Sequence, residues 1–168
     1  MVHKFPFSVR RPYEKLRRFP QGFLVLGDAI SSFNPTYGQG MTSAALQAAE
    51  LDKLLTQGTS LAQMAPAFFK AAAKVIDIPW QLAVGEDFRY AETSGPKPVG
   101  VDLINKYVAR VHRATLHDEV VCCAFLKVMN LMAPPTTLFH PTIVWRVMKY
   151  GRNARRAEQS AQAALAYS

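Results

Sequence analysis

The sequence predicts an α/β fragment that is mostly helical, and three observations carry that expectation. Four apolar residues in a row, Phe23-Leu24-Val25-Leu26, stop at Gly27-Asp28. A short apolar run bounded by turn residues suits a buried strand, although periodicity alone also admits a helix. A loop follows, punctuated by Asn34-Pro35, Gly38 and Gly40. From there on, apolar residues recur mainly at spacings of three and four, the period of amphipathic helices.

Composition bounds the class. The chain has 168 residues, of which 49% are apolar and 19% charged, enough apolar material for one core and not the balance of a disordered chain. The net charge of +8 suits a phosphate-rich or anionic-lipid partner, and equally a piece that has lost an acidic portion. Cys122 and Cys123 are adjacent, so they are poorly placed to bridge each other. With no second pair for zinc, they are expected to be small buried apolar residues in a reducing compartment. No apolar run approaches the about 18 residues of a membrane span. The N-terminus has charge but no hydrophobic stretch of signal-peptide type. The expectation is therefore a cytoplasmic chain without a transmembrane segment.

Taken in order, residues 1–21 are basic, with Arg10-Arg11 and Arg17-Arg18 flanking Tyr13. They read as a solvated approach to the strand or as an arm for phosphate-rich partners. Pro20-Gln21-Gly22 makes the turn before Phe23. After the glycine loop, Met41, Ala44, Ala45, Ala48, Leu51 and Leu55 predict a helix over 41–57, closed by Gly58. Ser60 starts a second helix over 61–75, with Phe68-Phe69 in the core, and Pro79-Trp80 opens a third. Trp80 and Phe88 serve as core or line an apolar cavity. Residues 94–100 are loop by composition. Val101, Ile104, Val108 and Val111 predict a helix over 101–115. Val121, Phe125, Val128 and Met132 predict another over 117–132, stopped by Pro134-Pro135. Pro141 starts a helix ended by Gly151, and residues 153–167 form a last, alanine-rich one. His3, His112, His117 and His140 supply no metal-ligand set, and no nucleophile–base arrangement is legible, so catalytic residues remain unassigned.

The central unit has chemical consequences. The first N–H groups of a helix lack partners within it and carry partial positive charge. Glycines at 38 and 40 let a ligand approach the backbone, and Asp28 offers an acceptor for hydroxyls at the end of the strand. A polyol contact beside a helix N-terminus points to a nucleotide-like cofactor.

Leu26-Gly27-Asp28-Ala29, then Pro35, then Gly38-Gln39-Gly40-Met41 and an alanine-rich helix, resemble the second FAD-binding motif of the class A flavoprotein monooxygenases. These are the para-hydroxybenzoate hydroxylase-like and squalene-epoxidase-like enzymes. The resemblance implies that Gly27 and Asp28 meet the ribityl chain of FAD and that Pro35 lies beside the isoalloxazine ring. It further implies that the amides of Gly38, Gln39, Gly40 and Met41 face the pyrimidine end. NAD(P)H would be the reductant, and an apolar or aromatic small molecule the substrate. The same family places a GxGxxG fingerprint on an N-terminal βαβ unit, and no GxGxxG occurs in this sequence. The resemblance thus implies a C-terminal portion. Residues 1–58 would complete one strand-loop-helix of a doubly wound FAD-binding domain, and 59–168 would form a helical C-terminal region. Such a piece is a truncated product, a mis-started frame or half of a split enzyme, inactive alone. The alternative is a helical interaction module complementing a separate nucleotide-binding chain. A nucleic-acid binder is disfavoured, because no base-reading motif is present.

Overall fold

The computed structural model describes residues 7–150. The predicted helix over 153–167, the stop at Gly151 and the arginines at 152, 155 and 156 lie outside them. The chain divides into two compact units, one ending at Asp87 and the other starting at Phe88.

In the first unit, β1 (Val9–Arg10) pairs antiparallel with β2 (Ser31–Ser32), Val9 opposite Ser32 and Arg10 opposite Ser31. The predicted strand over 23–26 does not form. Leu26 is extended (φ −144°, ψ 158°), but Leu24, Val25 and Leu26 make no backbone–backbone hydrogen bond among the described residues. The local sequence sets the extended backbone; a strand also needs a neighbour, and none is supplied here. Leu24 and Val25 instead pack on the core, while Phe23 and Leu26 are exposed.

Two helices dominate this unit: α1 (Gly40–Thr56) and α2 (Leu61–Asp87). α1 stops as predicted. Gly58 takes φ +71°, its N–H bonds the Leu55 carbonyl (3.0 Å), and the Thr59 N–H reaches back to Leu54 (3.1 Å). That pair of bonds is the Schellman motif, which needs a left-handed residue at Gly58. The two helices predicted after it are one, since α2 runs on through Pro79. Met64, Phe68, Ala72, Ile76, Pro79 and Ala83 are buried in one stripe with steps of three and four. An interior proline costs about 3 kcal/mol, whereas each large side chain buried, such as Phe68 or Ile76, contributes about 2 kcal/mol, so burial wins. The core gathers Ile30, Ala65, Phe68, Phe69, Ala72 and Ile76, with Trp80 packed against it.

In the second unit, α3 (Val101–Thr115) has the predicted bounds. α4 (Glu119–Met129) is shorter at both ends than predicted. Asp118 caps its start by accepting the Val121 N–H at 3.1 Å. Leu131 in the left-handed region (φ 57°) closes its end, with the Met132 N–H bonded to Lys127. A 3-10 helix, Pro135–Phe139, leads to α5 over 141–150. Val111, Val121, Val128 and Val147 are fully buried. Ile104 and Met132, expected on the apolar faces, are 46% and 77% exposed. The cysteines also depart from expectation: Cys122 is half-buried and Cys123 exposed, and both are free.

An ion pair with a buried carboxylate ties α4 to α5, the partly exposed Arg146 donating to Asp118 at 2.8 Å. Burial pushes the Asp118 carboxyl up, but the Val121 and Val120 amides and the Arg146 guanidinium outweigh it and hold the group below the ordinary aspartate value. Tyr107 donates to the Leu138 carbonyl at 2.6 Å, and burial raises its phenol. His112 packs edge-on against Phe125, and His117 stacks with Tyr150. Among the described residues, no three His, Cys, Asp or Glu side chains gather as metal ligands, and no helix is long and apolar enough to cross a membrane.

Candidate functional site

The site is built where the Gly27-Asp28 turn meets the start of α1. Gly27–Ala29 form a 3-10 turn closed by the Ile30 N–H on the Gly27 carbonyl at 3.0 Å. Gly27 has φ +63°, a conformation that resists a side chain, and a Cβ there would stand 3.5 Å from that of Ala44 on α1. Its N–H donates to Gln47 Oε1 at 2.9 Å, and Gln47 Nε2 donates to Ser43 Oγ at 3.2 Å. Gln47 and Ser43 are 1% and 2% exposed. This buried polar relay docks the turn on the second turn of α1 and leaves Asp28 exposed to solvent.

The glycine loop is equally fixed. Asn34 accepts the Thr36 N–H at 3.0 Å and so caps a 3-10 turn over Pro35–Tyr37. Gly38 ends that turn in the left-handed region (φ 68°), its own N–H bonded to the Pro35 carbonyl at 3.0 Å. The Tyr37 hydroxyl donates to Asp87 at 2.6 Å, fastening the loop to the end of α2. Gln39 is buried, and its carbonyl accepts the Ser43 N–H at 2.9 Å as α1 begins.

The start of α1 has neither a capping side chain nor an acidic residue in its first turn. Helix geometry leaves the N–H groups of Gly40, Met41 and Thr42 without an intrahelical partner. A Cβ at Gly38 or Gly40 would meet nothing within 4 Å, so the space beside these donors is open. The arrangement therefore offers an exposed carboxylate that accepts from hydroxyls, and next to it amides that donate to a carbonyl or anionic oxygen. Of the predicted amides, Gly38's is already used within the loop, and Thr42 joins the open set.

Sequence reasoning missed Gln47, Ser43 and the Tyr37–Asp87 bond. The face of α1 turned inward runs through Ser43 and Gln47 to Leu51 and Leu54, whereas Met41 and Leu55, taken as the apolar stripe, are 86% and 59% exposed. The spacing of four between Ser43 and Gln47, which puts both on one helix face, was the available signal.

No family model matches the chain. Over 99 residues, 57% of its length, it is 41% identical to Protein Rv3254 of Mycobacterium tuberculosis. That stretch is 21% of the relative, so the chain matches about a fifth of the length of that protein.

Proposed function

We propose that this chain carries the ribityl- and pyrimidine-binding part of an FAD site in an FAD-dependent oxidoreductase of the monooxygenase type. The reading rests on one observation: an exposed Asp28 and an uncapped, open α1 N-terminus are locked together by the Gly27–Gln47–Ser43 relay. The donor set fits that half of the cofactor. Asp28 accepts from ribityl hydroxyls, the Gly40, Met41 and Thr42 amides donate to a pyrimidine carbonyl, and Gly38 and Gly40 keep the approach clear. Pro35, exposed at the loop, limits where the ring can lie. Bound flavin supplies the redox chemistry, with NAD(P)H as reductant; the chain's own residues bind and orient.

The sequence contains no dinucleotide fingerprint, so the adenosine half is held elsewhere, in the longer protein or on a separate nucleotide-binding chain. The unladdered backbone of Leu24, Val25 and Leu26, with Leu26 exposed, supports a neighbour of that kind. A riboflavin-against-FAD fluorescence titration tests the proposal. The two ligands should bind with similar, weak affinity, and Asp28→Ala should weaken both about tenfold, the loss of one or two charge-assisted hydrogen bonds. Tight stoichiometric FAD binding, or affinity unchanged by Asp28→Ala, would contradict it.

A further inference from the structure

We infer that the loop from Arg11 to Phe23 is a peripheral contact for anionic phospholipid surfaces. Residues 7–23 contain Arg10, Arg11, Lys15, Arg17 and Arg18 against Glu14 alone, five cations minus one anion, so +4 of the chain's +8 lies in this segment. Arg10 is consumed internally by Asp77 and Glu14. Arg11 donates to the Ala29 carbonyl. Lys15, Arg17 and Arg18 are exposed and have no ion-pair partner among the described residues.

The loop is held stiffly. Tyr13 and Phe19 both pack on Phe69, with ring centroids at 5.2 and 4.7 Å, and on each other at 5.8 Å. Phe69 is 3% exposed. Two inward aromatic anchors six residues apart leave the four residues 15–18 on the outside. Among those cations sits Leu16, 53% exposed, and Phe23, 55% exposed, stacks on the outer side of Phe19 at 6.0 Å. Cations with apolar side chains between them match a headgroup layer: the charges meet lipid phosphates and carboxylates while the leucine and phenylalanine enter the acyl boundary. A preformed loop forfeits little conformational entropy on docking. Duplex nucleic acid would use the same cations but gain nothing from Leu16. The inference does not depend on the flavin reading.

Co-sedimentation of the chain with phosphatidylcholine vesicles, with and without phosphatidylserine, decides it. Binding should require phosphatidylserine. The triple variant Lys15→Gln, Arg17→Gln, Arg18→Gln should lose about a hundredfold in partitioning, and Leu16→Ser about fivefold. Removing the same charge at Lys106, Arg113 and Lys127 should leave most of the binding intact. Equal loss in both triple variants would reduce the effect to net charge and overturn the inference. So would indifference to Leu16→Ser combined with tighter binding to a DNA duplex.

Discussion

The first turns of α1 and α4 meet the same difficulty, unpaired N–H groups at a helix start, and resolve it differently. α4 is closed: Asp118 caps it, and Arg146 in turn neutralises Asp118. α1 is left open: Gln39 gives no side-chain cap, no acid stands in the first turn, and flanking glycines keep the space clear. α3 also lacks a capping side chain but has Asp102 in its first turn, which answers its dipole. Each unit also contains a polar tie to a buried side chain. In the second, the tie consumes the helix donors and serves stability. In the first, the Gln47 relay sits one turn further along and holds Asp28 beside donors that stay available. A capped helix start is finished; an uncapped one beside a fixed carboxylate still has donors and an acceptor to offer.

That contrast can be broken from either side. The largest effect is expected at the closed end. Arg146→Ala strands a carboxylate on Asp118, which is 6% exposed, and should destabilise the second unit by about 3 kcal/mol in urea denaturation. The pH dependence follows from the same pair. Because the folded-state pKa of Asp118 is lowered, its contribution is complete above the ordinary aspartate value of about 4 and is lost as pH falls through the folded value. Asp118→Asn should flatten that acid limb. Next, Gln47→Leu keeps the volume but leaves the Gly27 N–H buried and unpaired, and should cost about 2 kcal/mol. It should weaken riboflavin binding as well, because Asp28 loses its seat; unchanged binding would mean the relay serves stability alone. The smallest effect lies at the open end. Met41→Glu puts an acid at an exposed position in the first turn of α1 and should stabilise the free protein by about 0.5 kcal/mol. The same change should weaken flavin binding by repelling the carbonyl oxygens that seek those donors. Opposite signs in the two assays separate a ligand site from an ordinary helix end.

Much of this was legible locally. The bounds of α1 and α3 followed from glycine punctuation and apolar period, and Gly58 marked a cap because only a left-handed residue closes that motif. What escaped was non-local. Leu24 and Val25 are apolar and the next residue, Leu26, is extended, yet a strand is defined by its neighbour. Pro79 looked like a helix start because its local cost is plain while the burial of Ile76 and Ala83 that offsets it is not. The inward role of Ser43 and Gln47 has no local sign, because polarity is the usual mark of a solvent face; the Gly27 amide that donates to Gln47 lies 20 residues away. For the candidate site, Asp28 and the glycines were visible as residue types, and the residues that hold them in place were not.

Amide chemical-shift mapping of the chain during a riboflavin titration tests the central claim most directly. The account predicts that the largest shifts fall on Asp28, Gly40, Met41 and Thr42, with those of α4 unmoved. Shifts scattered over both units, or none at the start of α1 at saturating riboflavin, would contradict it.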